Sequence, residues 1–290
     1  MNSLRGFTLV EVIVTILLLA ILGAVAGYFI RPAIEAFVAI QRRAELSDAA
    51  DTALRRLARD VRLALPNSVR TTGCGAGTCL ELLLTRTGGR YRVANDDDIP
   101  AATSENALDF AATDTQFDTI GPLSTLAGQT IVTGSDRVAV HNLGITGADA
   151  YNGDNTSLIT GFVSPSGSGI AGEDRLTITA KRFPLESPSN RFYVIAGPVS
   201  FECLPGALDS GGNGTGTLRR WSGYAIQPGQ PTAAPGGSVN VLLANFVTAC
   251  ELDYAVLALQ GRGLVGMRIE LTRGGERVTL YHEVHVSNVP

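Results

Sequence analysis

Lysine is almost missing from this 290-residue chain: Lys181 is the only one. That removes the phosphate-binding loop of nucleotide enzymes, which needs a Gly-Lys-Ser/Thr step opening a helix. Histidine is scarce too, with only His141, His282 and His285, and neither a Gly-x-Ser-x-Gly elbow nor a His-Glu-x-x-His pair occurs. The usual signatures of an enzyme are therefore absent, and no cofactor is expected. Charged residues make up 17% of the chain, and the net charge is −4. Residues 71–290 hold 14 basic and 21 acidic residues, so this part lacks the clustered positive charge that nucleic-acid phosphates require. No nucleic-acid partner is expected. Hydrophobic residues reach 45%, ample for a core and against overall disorder.

One apolar run stands out against this background. From Phe7 to Ile30 the only charged residue is Glu11. As a helix rising about 1.5 Å per residue, the run reaches about 36 Å, enough to cross a bilayer core with some tilt. It is too long for the apolar region of a cleaved secretory signal, about 7–15 residues. A plain membrane anchor fits the length but gives Glu11 no purpose. An acid at the centre of such a helix costs about 2.5–3.5 kcal/mol, less near its end, so it marks a functional residue awaiting a partner. Flanking charge leaves the orientation open: Arg5 lies on one side, and Arg31, Arg42 and Arg43 on the other.

Pro32 follows, where a helix can kink without ending. Beyond it Leu46, Ala50, Leu54, Leu57, Val61 and Leu65 recur at three- and four-residue intervals, one face of an amphipathic helix. Arg55, Arg59 and Arg62 ride the other side, and Pro66-Asn67-Ser68 is the stop. Residues 31–70 carry eight arginines against five acids, read as a solvated basic face. A single interrupted helix over Phe7–Leu65 results, and its outer half needs a cover.

After Pro66 the period becomes strand-like. Short apolar segments at 80–85, 107–111, 129–133, 137–141, 175–180, 192–195, 199–204, 218–226 and 239–245 are divided by Gly, Pro, Asn and Asp. Gly/Pro/Ser-rich stretches at 161–172, 205–216 and 227–237 read as surface loops. At the C-terminus Val265, Met267, Ile269 and Leu271 alternate, as do Val278, Leu280, His282, Val284 and Val286. The Gly274-Gly275 turn pairs Leu271 with Val278, Ile269 with Leu280, Met267 with His282 and Val265 with Val284, which puts both apolar sets on one face. The fold class is α+β: a long N-terminal helix packed on a mainly antiparallel β-sheet head.

Four cysteines allow three pairings. The Gly-rich loop in Cys74-Gly-Ala-Gly-Thr-Cys79 brings two sulfurs together, which favours Cys74–Cys79 and Cys203–Cys250. Zinc is the poorer reading, because Cys203 and Cys250 lack close companions. His282 and His285 lie three apart on a strand and point to opposite faces, so they do not form a metal pair. Asp96-Asp97-Asp98 has no calcium-loop motif around it and reads as a solvated acidic turn. Asn155-Thr-Ser157 and Asn213-Gly-Thr215 match the short glycosylation pattern, and neither is assigned a role.

The opening Gly6-Phe7-Thr8-Leu9-Val10-Glu11, with its apolar continuation, closely resembles the N-terminal signal of type IV pilins and pseudopilins. The resemblance implies a leader at 1–6, a transmembrane helix at 7–30, an amphipathic helix at 31–65 and a β-rich extracytoplasmic head at 66–290. It implies cutting between Gly6 and Phe7 by a prepilin peptidase, N-methylation of Phe7, and pairing of Glu11 with the N-terminal amine of a neighbouring subunit during assembly. Arg55 to Asp60, Ala64 to Arg70, Phe201-Glu202-Cys203, Ala249 to Tyr254 and Tyr281 to Pro290 further resemble the biogenesis protein O family of mannose-sensitive haemagglutinin (MSHA) pili, while residues 85–190 give no such match. That family implies a minor pilin in the bacterial inner membrane, its head in the periplasm before it enters a pilus or pseudopilus. The implied partners are the peptidase, major and other minor pilins, the inner-membrane assembly platform and the lipid bilayer. A J-like minor pseudopilin of type II secretion shares this layout. A membrane-tethered binding protein or enzyme is the reading from another class.

Overall fold

The structure, a computed structural model, describes residue 6 and residues 8–94, 106–123, 129–167, 170, 172–257 and 261–290. Its first element is α1 (Leu9–Arg62), a helix of 54 residues and about 80 Å. It is rich in Leu and Ala, strong helix formers, and runs through Pro32 without a break. It ends short of the expected Leu65 because strand partners take over: Leu65 N–H bonds to Leu83 O and Thr85 N–H to Leu63 O. The expected first helical residue, Phe7, lies outside the described residues. Until Glu45 the helix surface is largely exposed; from Leu46 a stripe of Leu46, Ala50, Ala53, Leu54, Leu57, Ala58 and Val61 is buried.

Eleven strands follow: β1 (Arg70–Cys74), β2 (Gly77–Arg90), β3 (Asp114–Asp118), β4 (Arg137–Val140), β5 (Thr156–Val163), β6 (Arg175–Lys181), β7 (Arg191–Leu204), β8 (Gly216–Ser222), β9 (Val239–Leu257), β10 (Arg262–Arg273) and β11 (Glu276–Ser287). All pair antiparallel, in the order β11-β10-β9-β8-β7-β4-β5-β6-β3, with β2 along the other edge of β7 and β1 beside β2. The sheet forks at β7, where β8 lies beside Val199–Leu204 and β4 beside Phe192–Ile195. The branch from β8 to β11 covers the helix stripe, with Val265, Met267, Ile269, Leu271, Val284 and Val286 in the same core. The branch from β4 to β3 builds a second core around Phe117, Phe183, Phe192, Val138 and Ile159.

The C-terminal hairpin has the expected register throughout, from Leu271–Val278 to Val265–Val284. Gly274 and Gly275 both adopt positive φ, 56° and 80°, as a two-residue type I′ turn requires. Elsewhere the strand reading needs correction. Residues 107–111 form no strand: the Asp109 carboxylate accepts from Ala111 N–H and Ala112 N–H and bends the chain. Residues 129–133 approach a turn in which Val132 N–H donates to the Asp136 carboxylate. β5 reaches into the stretch read as a loop because Gly161 fits against Thr177 of β6, where a Cβ would sit 3.1 Å from the Thr177 Cβ. β1 and β3 are polar and carry no apolar alternation to reveal them.

A polar knot fastens the helix exit. Asn67, at φ 58°, donates its side-chain amide to Asn142 O and Asn288 O, while its own N–H donates to Asn288 Oδ1. Asn142 returns a bond to Pro66 O, and Tyr151 O–H donates to Ser68 O. The helix exit, the second branch and the C-terminus thus meet at three residues. Beside the knot, Glu81 is fully buried and held by Arg70 at 2.6 Å and by the Tyr224 hydroxyl at 2.8 Å. Burial pushes the Glu81 carboxyl up, and Arg70 opposes that push. Cys74–Cys79 closes the β1–β2 turn against buried Trp221, and Cys203–Cys250 ties β7 to β9.

Two stability predictions follow from these contacts, both read by urea unfolding of the detergent-solubilised chain with the buried Trp221 as fluorescent probe. Arg70→Met strands the Glu81 charge and costs about 3–5 kcal/mol, whereas Arg70→Met with Glu81→Gln recovers most of the loss. Equal losses in the single and double variants would show that the pair is not the cause. By loop-closure entropy, Cys203→Ala/Cys250→Ala, spanning 47 residues, costs about 4 kcal/mol. Cys74→Ala/Cys79→Ala, spanning five, costs about 2 kcal/mol.

Candidate functional site

The N-terminal segment concentrates the unusual chemistry. Thr8 is the N-cap of α1, in extended conformation, and its hydroxyl accepts from Glu11 N–H at 3.4 Å. Glu11 N–H and Val12 N–H also reach Thr8 O. Glu11 therefore sits in the first helical turn, where the helix dipole favours negative charge. Its carboxylate has no protein partner among the described residues. Gly6 is exposed just before the cap, and Phe7 lies outside the described residues.

From Leu9 to Ile30 every side chain is exposed, including Leu17, Leu19, Leu22 and Phe29. The stretch spans about 33 Å, matched to a hydrocarbon core of about 30 Å. Tyr28 and Phe29 stand at its far end next to Arg31, the arrangement found where an apolar helix meets the headgroup layer. The helix is thus apolar and long enough to cross a membrane.

Past this run the head is not reached at once. The first ion pairs between helix and head are Arg43–Glu276 and Glu45–Arg273, at the β10–β11 turn. Residues 31–41 form an intervening stalk of about 16 Å. On it Ile34, Phe37 and Ile40 remain exposed at 58%, 68% and 66%, an apolar stripe at three-residue steps that no described residue covers. Sequence reasoning passed over this stripe, although its spacing continues the helical period beyond Pro32.

The other sequence candidates resolve into structural roles. His282 is half-buried opposite Met267 and His285 is exposed on the other face of β11. Asp96-Asp97-Asp98 lies outside the described residues, and no group of three His, Cys, Asp or Glu that could hold a metal occurs among the described ones. Asn155 is fully buried, which bars a glycan in the folded chain. Asn213 orders a turn through Asp209 and accepts from Gly274 N–H. The segments that resemble one pilus family converge physically. Asn67 bonds to Asn288, Asn288 donates to the Tyr254 hydroxyl, and Cys203 is bonded to Cys250. Their shared work is packing and hydrogen bonding.

Residues 1–27 match the family model of the prokaryotic N-terminal methylation motif. No curated protein and no solved structure matches the chain. The motif and the apolar helix together support membrane anchoring and a protein of the type IV pilin or pseudopilin kind, processed by a prepilin peptidase and assembling with other pilins. They point to a structural subunit rather than an enzyme.

Proposed function

We propose that the chain is a minor pilin of an MSHA-type pilus. It is made with a leader at 1–6, cut between Gly6 and Phe7, and methylated on the new Phe7 amine. Residues 7–30 hold it in the inner membrane, 31–65 carry the helix into the head, and 66–290 form a periplasmic head in which two disulfides suit an oxidising compartment. The observation that carries this reading is Glu11, a carboxylate in the first turn of a lipid-length helix with no partner among the described residues. Cleavage places a positive amine within one turn of it. Two isolated charges in hydrocarbon are costly, and apposing the amine of one subunit to the Glu11 of another recovers much of the penalty. A tether has no use for that carboxylate. Nor does a tether need an apolar stripe at Ile34, Phe37 and Ile40 outside the membrane run, whereas packing against neighbouring helices of an assembly covers it.

The pilus assignment over a secretion pseudopilus rests on the resemblance of the segments that meet at the Asn67–Asn288 knot and the Cys203–Cys250 bond. Recovery in filaments sheared from the cell surface supports the pilus. Loss of protein secretion with no surface filament affected would assign the chain to a secretion system.

Mass spectrometry of the mature N-terminus, from cells containing the peptidase, should find N-methylated Phe7. An intact Met1–Gly6 segment there, or cleavage near Ala24–Gly27, would sink the processing scheme. Glu11→Ala should leave membrane abundance equal or higher, since it removes the only charge from the run, while incorporation into sheared filaments falls at least tenfold. Phe37→Ser should also keep membrane abundance and reduce incorporation. Unchanged assembly in both variants returns the chain to the tethered-domain reading.

A further inference from the structure

Where the sheet forks, the pairing of β7 is interrupted on one edge. Val199 pairs with Ser222 of β8 and Ile195 with Arg137 of β4, so Ala196, Gly197 and Pro198 have no strand partner on that side. The gap opens as a cleft of about 500 Å³, within the range of small-molecule sites. Among the described residues Arg137 is the only charged one in its wall. The guanidinium is half-buried, and its Nε lies 3.4 Å from Thr156 Oγ1. Its two terminal nitrogens have no protein partner among the described residues. Burial lowers the Arg137 pKa, and no carboxylate offsets it. Every other half-buried cation beside this region is answered: Arg70 by Glu81, and Lys181 by Gly153 O.

A cation held out of bulk water without a counter-ion, and with its planar fork free, is suited to a planar anion. A single guanidinium in a wall without a second cation favours a monoanion over phosphate. The rest of the wall is mixed, with Tyr151 and Tyr224 beside polar Asn152 and Ser135, so it suits a hydroxylated body better than a purely apolar one. We propose that this cleft binds a small hydroxylated organic carboxylate, of sugar-acid size, with its carboxylate on Arg137. The site lies wholly in the head and stands whether or not the chain enters a filament.

The test is isothermal titration of the detergent-solubilised full chain with glucuronate, its neutral counterpart methyl glucoside, and inorganic phosphate. Saturable glucuronate binding is expected, with methyl glucoside and phosphate each at least tenfold weaker. Arg137→Gln should weaken glucuronate at least tenfold, and Arg137→Lys, which keeps the charge without the fork, should lie between. Ala225 is exposed at the rim, so Ala225→Trp fills the cleft without entering the core and should abolish binding. If circular dichroism shows Arg137→Gln misfolded, Ala225→Trp decides. Absence of saturable glucuronate binding, equal binding of phosphate or methyl glucoside, or binding indifferent to the folded variants overturns the proposal.

Discussion

The stripe from Leu46 to Val61 is the constraint on which the head depends. A helix with one apolar face in water must hide it, and here β8 to β11 are the cover, with β10 and β11 contributing alternate inward residues. Burying Leu46, Leu54, Leu57 and Val61 alone is worth about 6–12 kcal/mol. The alanines at 50, 53 and 58 keep the sheet close by presenting little bulk. The same helix is largely exposed before Glu45, so one continuous rod serves two environments. Its first part meets its apolar demand in lipid, its last part in the sheet, and the stalk between them has neither.

The fork at β7 explains how one sheet supports two cores. A twisted sheet of many strands tends to curl or split, and here the split is built around the β2–β7 ribbon, whose pairing slips at Leu84 and Thr85. Leu65, Leu83, Ile195 and Tyr151 fill the junction. Buried ion pairs recur around it and in the second branch: Arg70–Glu81, Arg86–Asp136 and Arg175–Asp118 each hold a carboxylate with no solvent exposure. Such pairs add little net stability but penalise any arrangement that separates them. Beside the apolar core of that branch, they help to specify how it packs. Arg137 breaks the pattern, which is why its cleft stands apart from the rest of the head.

The segments around the helix exit, the two later cysteines and the C-terminus gain a physical meaning from their positions. Asn67, Asn288 and Tyr254 are linked by hydrogen bonds, and Cys203 and Cys250 form one covalent tie. Residues so placed preserve a head architecture. They speak to how the chain folds, while the chemistry proposed for assembly sits some 80 Å of helix away, at Glu11.

The apolar run, the isolated Glu11, the amphipathic stripe and the C-terminal hairpin with its register are legible in the residues alone. Each of these is written in local periodicity: a 3.6-residue repeat, a two-residue repeat, or two glycines that alone tolerate the turn. The rest is settled by how distant parts of the chain pack together. β1 and β3 are strands because neighbours supply their hydrogen bonds, although their residues are polar and irregular. Residues 107–111 look like a strand but turn, since Asp109 captures the backbone N–H groups that a ladder would need. The fork, the knot and the Arg137 cleft each join residues far apart in the chain. No local pattern encodes such meetings, because what fixes them is which edge, cation or amide is left without a partner once everything else has packed.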